Sequence, residues 1–384
     1  MIKVGFPVLG SSAWWAGITY LYNLLYSLSL LEKGQITPVV LCRKTIDASI
    51  ISLYEPYADI VQYSGELIWY LSRGLRKLSV KDIILDRYLI KNDIKVISHL
   101  TYPLNGSARY KTITWIPDFQ HIHLPLMFSS REIRSRNHNY SRMAKKSDAV
   151  IVSSHDALKD LRSFVPQYAH KARVLNFVAQ PNPLVFTTDR AIAEKKFGID
   201  RKYFYLPNQF WKHKNHIVVF EAIKLLKMKE PAVLLVCSGS MSDYRNIDHM
   251  QFLVDFVRSN DLEDNIKLLG MIDQIDLFSL MRNSISVINP SLFEGWSTTV
   301  EECKSLGKNM ILSDIPVHRE QNPPGAKYFS PRDPHELEHL LYHEYRNSSG
   351  GPDLTLETLA ASCLKKRCRE YAETYQGIVL DVLQ

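Results

Sequence analysis

Short apolar runs alternate with longer amphipathic stretches along nearly the whole chain. In the first half these runs predict strands at Lys3–Leu9, Thr37–Cys42, Val96–Leu100, Lys111–Ile116, Asp148–Ser153 and Arg173–Phe177. In the second half they predict Tyr203–Pro207, Val233–Ser238, Ile266–Gly270, Ile285–Asn289, Met310–Ser313 and Ala326–Phe329. Helical patterns fill most of the gaps. That alternation implies parallel sheets joined by crossover helices. Two sets of about six strands suit two Rossmann-like domains better than one large sheet. The Pro-rich stretch Gln180-Pro181-Asn182-Pro183 follows a strand and marks the boundary, giving domains at 1–182 and 183–364. Asp353–Leu383 reads as one or two helices. No internal repeat and no low-complexity tract interrupts the pattern.

Composition narrows the class. A length of 384 residues suits two domains, and 46% hydrophobic with 23% charged residues is ordinary for a globular protein. Cys42, Cys237, Cys303, Cys363 and Cys368 are scattered, with no C-x-x-C pair. An odd, scattered set argues for a reducing cytoplasm, not a disulfide framework. Met1–Gly10 lacks the long apolar segment of a secretory signal, and no apolar run is long enough to span a membrane. The net charge of +7 is compatible with anionic lipid, nucleic acid or a nucleotide sugar.

The richest chemistry lies in Asn289–Glu302, NPSLFEGWSTTVEE, which places seven residues between Glu294 and Glu302. An apolar run, Ile285–Ile288, precedes it as a buried strand, and Val300–Leu306 follows as a helix. Glu294-Gly295-Trp296-Ser297 therefore forms a strand-to-helix turn. The first N–H groups of a helix are unpaired and carry partial positive charge, which suits a diphosphate. Glu302, one to two turns into the helix, can accept hydrogen bonds from a vicinal diol. Taken alone, two Glu residues at this spacing also describe a charged helix face.

This stretch, with Cys303–Glu320 after it, resembles the E-x7-E region of the retaining glycosyltransferases of family 4. The resemblance implies the GT-B fold: α/β, with two Rossmann-like domains facing across a cleft. It also implies that a C-terminal helix, 365–384, crosses back to the first, acceptor-binding domain. The second domain would hold the nucleotide sugar. Glu302 would be the ribose ligand and Glu294 a donor-sugar ligand, with Gly295, Trp296, Ser297, Thr298 and Thr299 around the donor. Asn208–Ala222, NQFWKHKNHIVVFEA, looks like the family's phosphate clamp. Lys214 matches the clamp Lys, and Lys212 lies beside it. The clamp Arg falls on Gln209, a departure from the pattern.

Further donor contacts follow from the same resemblance. Gly10–Tyr20, GSSAWWAGITY, is similar to the N-terminal glycine loop, with Gly17 facing the phosphates. Trp14 and Trp15 would shape the acceptor site or simply pack. Gly239 ends a second-domain strand, and Met271 and Ile272 follow Gly270 where the family reads the base through main chain. In Thr114–Pro125, TWIPDFQHIHLP, Asp118 matches the Asp of a His-Asp pair. Pro117 stands at the His position, and His121 is the substitute. The group expected at the reaction centre is Glu294, Lys214, Asp118 and His121, with no covalent nucleophile among them. The same loop residues could instead hydrogen-bond locally.

The expected reaction is retaining transfer of a hexose-type sugar from a nucleoside diphosphate sugar to a saccharide or lipid-linked hydroxyl, in polysaccharide, lipopolysaccharide or glycolipid synthesis. Lysines and main-chain N–H groups would stabilise the leaving diphosphate, so neither a cofactor nor a metal is expected. His213 and His216 lack a third ligand at metal spacing. Two basic stretches, Leu67–Leu78 with Arg73, Arg76 and Lys77, and Arg131–Lys146, could rest on the inner face of an anionic membrane. No nucleic-acid motif is present. Two alternatives stay open: a GT-B-type sugar-nucleotide epimerase or phosphorylase, and a degenerate protein that only binds sugar.

Overall fold

The computed structural model describes residues 1–9, 15–63, 83–104, 107 and 109–384. Gly10–Trp14 and the basic stretch Leu67–Leu78 lie outside the described residues. Two compact units divide the chain. The first holds Met1–Phe119, Ser130–Val178 and Lys365–Gln384; the second holds Gln120–Ser129 and Ala179–Leu364. A short strap, Gln120–Ser129, thus packs with the second unit, although its neighbours on either side belong to the first. The single helix Leu354–Leu383 starts in the second unit and ends in the first.

Each unit carries one all-parallel sheet. In the first, β1 (Ile2–Pro7), β2 (Ile36–Arg43), β3 (Asp59–Tyr63), β4 (Val96–Leu100), β5 (Lys111–Ile116), β6 (Ala149–Val152) and β7 (Ala172–Val174) lie in the order β3-β2-β1-β4-β5-β6-β7. The apolar runs predict all of these except β3. Its sequence, DIVQY, lies at the sheet edge and buries no residue fully, so it carries no apolar run. In the second unit, β8 (Phe204–Leu206), β9 (Leu235–Cys237), β10 (Ile266–Leu268), β11 (Val287–Asn289), β12 (Met310–Ser313) and β13 (Lys327–Phe329) lie in the order β10-β9-β8-β11-β12-β13.

The second sheet is covered on both faces, and its sequence shows why. Alternate residues of one strand enter opposite cores. Phe204 and Leu206 pack with the helices His216–Lys227 and Pro334–Asn347, while Tyr203 and Tyr205 pack with Gln274–Asn283 and Thr298–Leu306. Leu235 and Cys237 divide from Leu234 and Val236 in the same way. Both faces of these strands must therefore be apolar, and the pattern reads as a run.

Neighbouring strands that are distant in sequence mark where the connections change direction. In the first sheet this point lies between β1 and β4, in the second between β8 and β11. Open α/β sheets bind ligands beyond the carboxyl ends of the strands flanking such a point.

Close packing fixes the start of the last helix. Gly307 ends the helix Thr298–Leu306 at φ +75°, and a Cβ there would sit 2.5 Å from the backbone of Leu356 and Glu357. Arg282 pairs with Glu357 at 2.7 Å, and Lys308 donates to the carbonyls of Arg282 (3.1 Å) and Gly351 (2.9 Å). Gly307→Ala must strain the turn and displace Leu356–Glu357. We expect it to lower the unfolding midpoint in a denaturant titration, with a loss of about 2–4 kcal/mol. A variant as stable as the parent would remove this close approach as a constraint.

Candidate functional site

The loops leaving β8 and β11 bring together most of the residues that the sequence singles out in the second unit. After β8 come Asn208, Gln209, and the short turn Lys212–Lys214. After β11 come Ser291, Glu294 and the helix Thr298–Leu306. A polar lattice joins the loops. Asn208 Nδ2 donates to Asn289 Oδ1 (3.1 Å), Asn289 Nδ2 donates to Ser297 Oγ (2.8 Å), and Thr299 Oγ1 donates to Asn208 Oδ1 (3.2 Å). All four residues are buried, so these bonds satisfy groups that water cannot reach. Sequence reading missed Asn208 and Asn289 as fasteners. The available signal was an Asn at the carboxyl end of each strand flanking the switch.

Lys214 and Glu294, 80 residues apart, form a hydrogen-bonded ion pair at 2.6 Å. Ser291 Oγ donates to the same Glu294 oxygen at 2.6 Å. The side chains are only 20% and 10% exposed, so each charge depends on the other for solvation. Burial alone would raise the Glu294 pKa. The Lys214 ammonium, aided by His318 and the two hydrogen bonds, more than offsets that and holds it at about 2. Lys214 is thus engaged by Glu294, whereas the resemblance to the clamp implies a phosphate partner alone. His213, between the lysines, is held neutral by burial, its pKa lowered to about 3.

Glu302 behaves oppositely. It is half-buried and has no hydrogen-bond or ion-pair partner among the described residues. Burial pushes its pKa up to about 8. A desolvated carboxyl with open acceptor capacity is suited to a ligand that brings its own hydroxyl donors.

The helix start Thr298–Leu306 is partly occupied. Ser297 caps it, its hydroxyl accepting from Val300 N at 3.4 Å. Ser297 N itself donates to Gln321 Oε1 at 3.0 Å, so this N–H is not open to an anion. The main-chain N–H groups of Thr298 and Thr299 have no acceptor among the described residues. Of the predicted turn, Gly295 and Trp296 are half-buried beside Glu294, and the Thr299 hydroxyl is committed to Asn208.

Gly239 follows β9 at φ +141°, and a Cβ there would lie 2.5 Å from Asn208 O and 2.8 Å from Gln209 N. Gly239 N donates to Gly270 O at 2.8 Å. Glycine here lets three loops meet at the strand ends. Met271, just beyond, is 69% exposed, while Ile272 packs into the core.

The remaining predicted residues lie elsewhere. Gly17 is buried in the helix Trp15–Ser29 of the first unit. Asp118 lies two residues beyond β5 there and pairs with Arg136 at 3.4 Å. His121 is buried in the strap and belongs to the second unit, so Asp118 and His121 are divided between the units. Also in the first unit, a cavity of about 580 Å³ opens at the carboxyl ends of β1, β2, β3 and β4, with Arg43, Asp47, Tyr63, His99 and Tyr102 in its wall. Among the described residues, no group of three or more His, Cys, Asp or Glu is arranged to hold a metal.

This geometry lies inside a stretch with known relatives. Residues 188–341 match the family described as glycosyl transferases group 1. A curated relative, the O-antigen chain mannosyltransferase RfbU of Salmonella typhimurium, is 28% identical over 131 residues, or 34% of this chain and 35% of that protein. The match thus spans about a third of that relative's length. Solved structures extend the likeness to the whole chain at the level of fold. Anabaena Alr3699/HepE, solved with UDP and glucose, superposes with a TM-score of 0.65 at 14% identity over 100% of this chain and 98% of that one. A glycosyltransferase from Rickettsia africae gives 0.63 at 14% identity over 100% and 99%. Two parallel-sheet Rossmann-like units with a C-terminal helix match these GT-B glycosyltransferase structures.

The ion pair predicts an acid signature. The Glu294 pKa is lower folded than unfolded, so its contribution to stability is present above the unfolded value of about 4.3. It is lost as pH falls through about 2. Lys214→Met should therefore destabilise by about 2–3 kcal/mol at pH 7 and by clearly less near pH 3. Equal losses at both pH values, measured by denaturant titration, would refute the pairing as the source.

Proposed function

We propose that this protein is a retaining glycosyltransferase that uses a nucleoside diphosphate sugar and needs no metal ion. The observation that carries the reading is the grouping at one switch point of the Lys214–Glu294 pair, the open N–H groups of Thr298 and Thr299, and the unpartnered Glu302. A diphosphate beside the open N–H groups would be met by a helix start and by the ammonium of Lys212, which is exposed and has no ion-pair partner among the described residues. The ribose diol would donate to Glu302. Glu294, ionised and fixed by Lys214, would accept hydrogen bonds from the sugar.

In the reaction the acceptor oxygen bonds to the anomeric carbon as the bond to the diphosphate breaks. The electron pair leaves on the diphosphate oxygen, and the acceptor's proton follows to that oxygen. Fixed charges and dipoles that meet the departing oxygens lower the barrier without a metal. Transfer on one face retains configuration without a glycosyl-enzyme intermediate. The donor sugar is a hexose, in keeping with the mannosyltransferase named among the relatives and the glucose named in the HepE complex. The first unit's cavity, with Arg43 and Asp47 in its wall, is the proposed acceptor site, and cell-envelope polysaccharide or glycolipid the proposed product. Gly17, Asp118 and His121 are retained as contacts from the predicted set.

Peripheral membrane contact fits the helix Ser130–Lys146. No described helix is long and apolar enough to cross a membrane. Arg131, Arg134, His138, Arg142 and Lys145 recur at three- and four-residue spacings along one stripe, and among the described residues none of the four Arg and Lys side chains has a carboxylate partner. Such a stripe suits anionic headgroups. The protein should float with vesicles containing about a third phosphatidylglycerol, and not with pure phosphatidylcholine. Replacing Arg131, Arg134, Arg142 and Lys145 by Gln should abolish flotation. Flotation unchanged in the quadruple variant would assign the contact elsewhere.

The donor site is tested by thermal stabilisation with UDP, GDP, dTDP and ADP. A ligand at 100 times its dissociation constant adds about 2.7 kcal/mol to stability. One nucleotide should stabilise the parent, and Glu302→Gln should lose most of that effect. Its affinity should rise with pH toward about 8, as Glu302 ionises, and Glu302→Gln should flatten that rise. No stabilisation by any of the four would reject the donor site and favour a protein that has lost transferase activity.

A further inference from the structure

The family clamp expects an arginine where this chain has Gln209, and the lysine of the clamp is already paired with Glu294. A diphosphate at this site therefore lacks one fixed cation. The second unit supplies a candidate that the sequence motifs do not mark.

Arg245 lies in the loop that follows β9. Its guanidinium stacks between Phe128 of the strap, 4.5 Å away, and Trp211, 4.7 Å away, with Tyr244 at 5.4 Å. Nη1 donates to Gln120 Oε1 at 3.1 Å. No carboxylate pairs with the guanidinium among the described residues, and Nε is buried without an acceptor. The neighbouring Asp243 interacts with the guanidinium's charge at a distance, but its carboxylate oxygens bond to the main-chain N–H groups of Lys212 (3.0 Å) and Arg245 (3.0 Å) and to Asn246 Nδ2 (2.9 Å), not to the guanidinium. Those same bonds fasten the Arg245 loop to the turn that carries Lys212 and Lys214. Trp211, on which the guanidinium rests, immediately precedes Lys212 and lies two residues beyond Gln209.

An arginine held flat by aromatic rings loses little freedom when it binds, and its planar fork suits phosphate oxygens. A permanent charge stacked on aromatic rings, with no carboxylate hydrogen-bonded to it, is suited to an anionic ligand. We propose that Arg245 binds the donor diphosphate in place of the missing arginine at position 209. This rests on the glycosyltransferase reading above and adds to it a binding residue from a different loop. The strap takes part, because Gln120 and Phe128 hold the guanidinium in place.

Isothermal titration of UDP, GDP, dTDP and ADP, each against its own nucleoside, tests the assignment. For the nucleotide that binds the parent, Arg245→Ala should weaken the diphosphate at least tenfold and leave the nucleoside within about twofold. Adding Gln209→Arg to that variant should restore most of the lost diphosphate affinity. Arg245→Lys, which keeps the charge but not the stacked fork, should fall between. Equal loss of nucleoside and diphosphate would make Arg245 a packing residue and overturn the proposal, as would no loss of either. A parent that binds none of the four diphosphates would overturn the transferase reading itself, an outcome distinct from a parent that binds and a variant that binds equally well.

Discussion

The Lys214–Glu294 pair depends on a single topological choice, the placing of β11 beside β8. That adjacency brings two loops 80 residues apart into contact, and the buried lattice of Asn208, Asn289, Ser297 and Thr299 fixes their spacing. Two charges largely removed from water are tolerable only when each solvates the other. The lattice supplies the geometry that makes this possible, so the fold and the electrostatics of the site stand or fall together. The helix carrying Glu302 is anchored by the same lattice through Ser297 and Thr299.

The two carboxylates of the E-x7-E stretch show how position on one strand-turn-helix unit sets chemistry. Glu294 sits in the turn, within reach of an ammonium and a hydroxyl, and stays ionised far into acid. Glu302 sits on the helix, where no side chain among the described residues donates to it and burial favours the neutral acid. One is a permanent charge, and the other becomes charged in the physiological range. Nothing in the spacing of two Glu residues distinguishes them, because the difference comes from what surrounds each, not from what they are.

Much of the architecture is legible in the sequence because parallel strands buried on both faces read as continuous apolar runs. That is why all six strands of the second sheet are found, whereas β3, exposed at an edge and interrupted by Asp59 and Gln62, is not. The strand-end turns are legible from Gly and Asn after apolar runs, as at Gly239 and Asn208. What escapes is association across long separations. The strap Gln120–Ser129 follows β5 without a break in pattern, yet packs with the other unit through Phe128 on Arg245 and His123 stacked on Phe293 at 4.9 Å. Arg245 itself sits in a polar loop, where a sequence reader expects only solvent. The commitment of Ser297 N to Gln321 is equally invisible, since it joins the cap of one helix to the last residue of another.

The helix Leu354–Leu383 bears on how the chain is made. Tyr375 fills the first unit's core against Phe6 (5.8 Å) and His99 (5.5 Å), and Gln376 accepts from the main chain of Gln35 at 2.7 Å. These residues leave the ribosome only after the whole second unit has been synthesised. Nascent domains ordinarily fold in the order they emerge. Here the unit begun first cannot finish first: until residues 365–384 are released, its apolar groove beside β1 and β4 lacks its own filling. During that interval the growing chain carries an unfinished core.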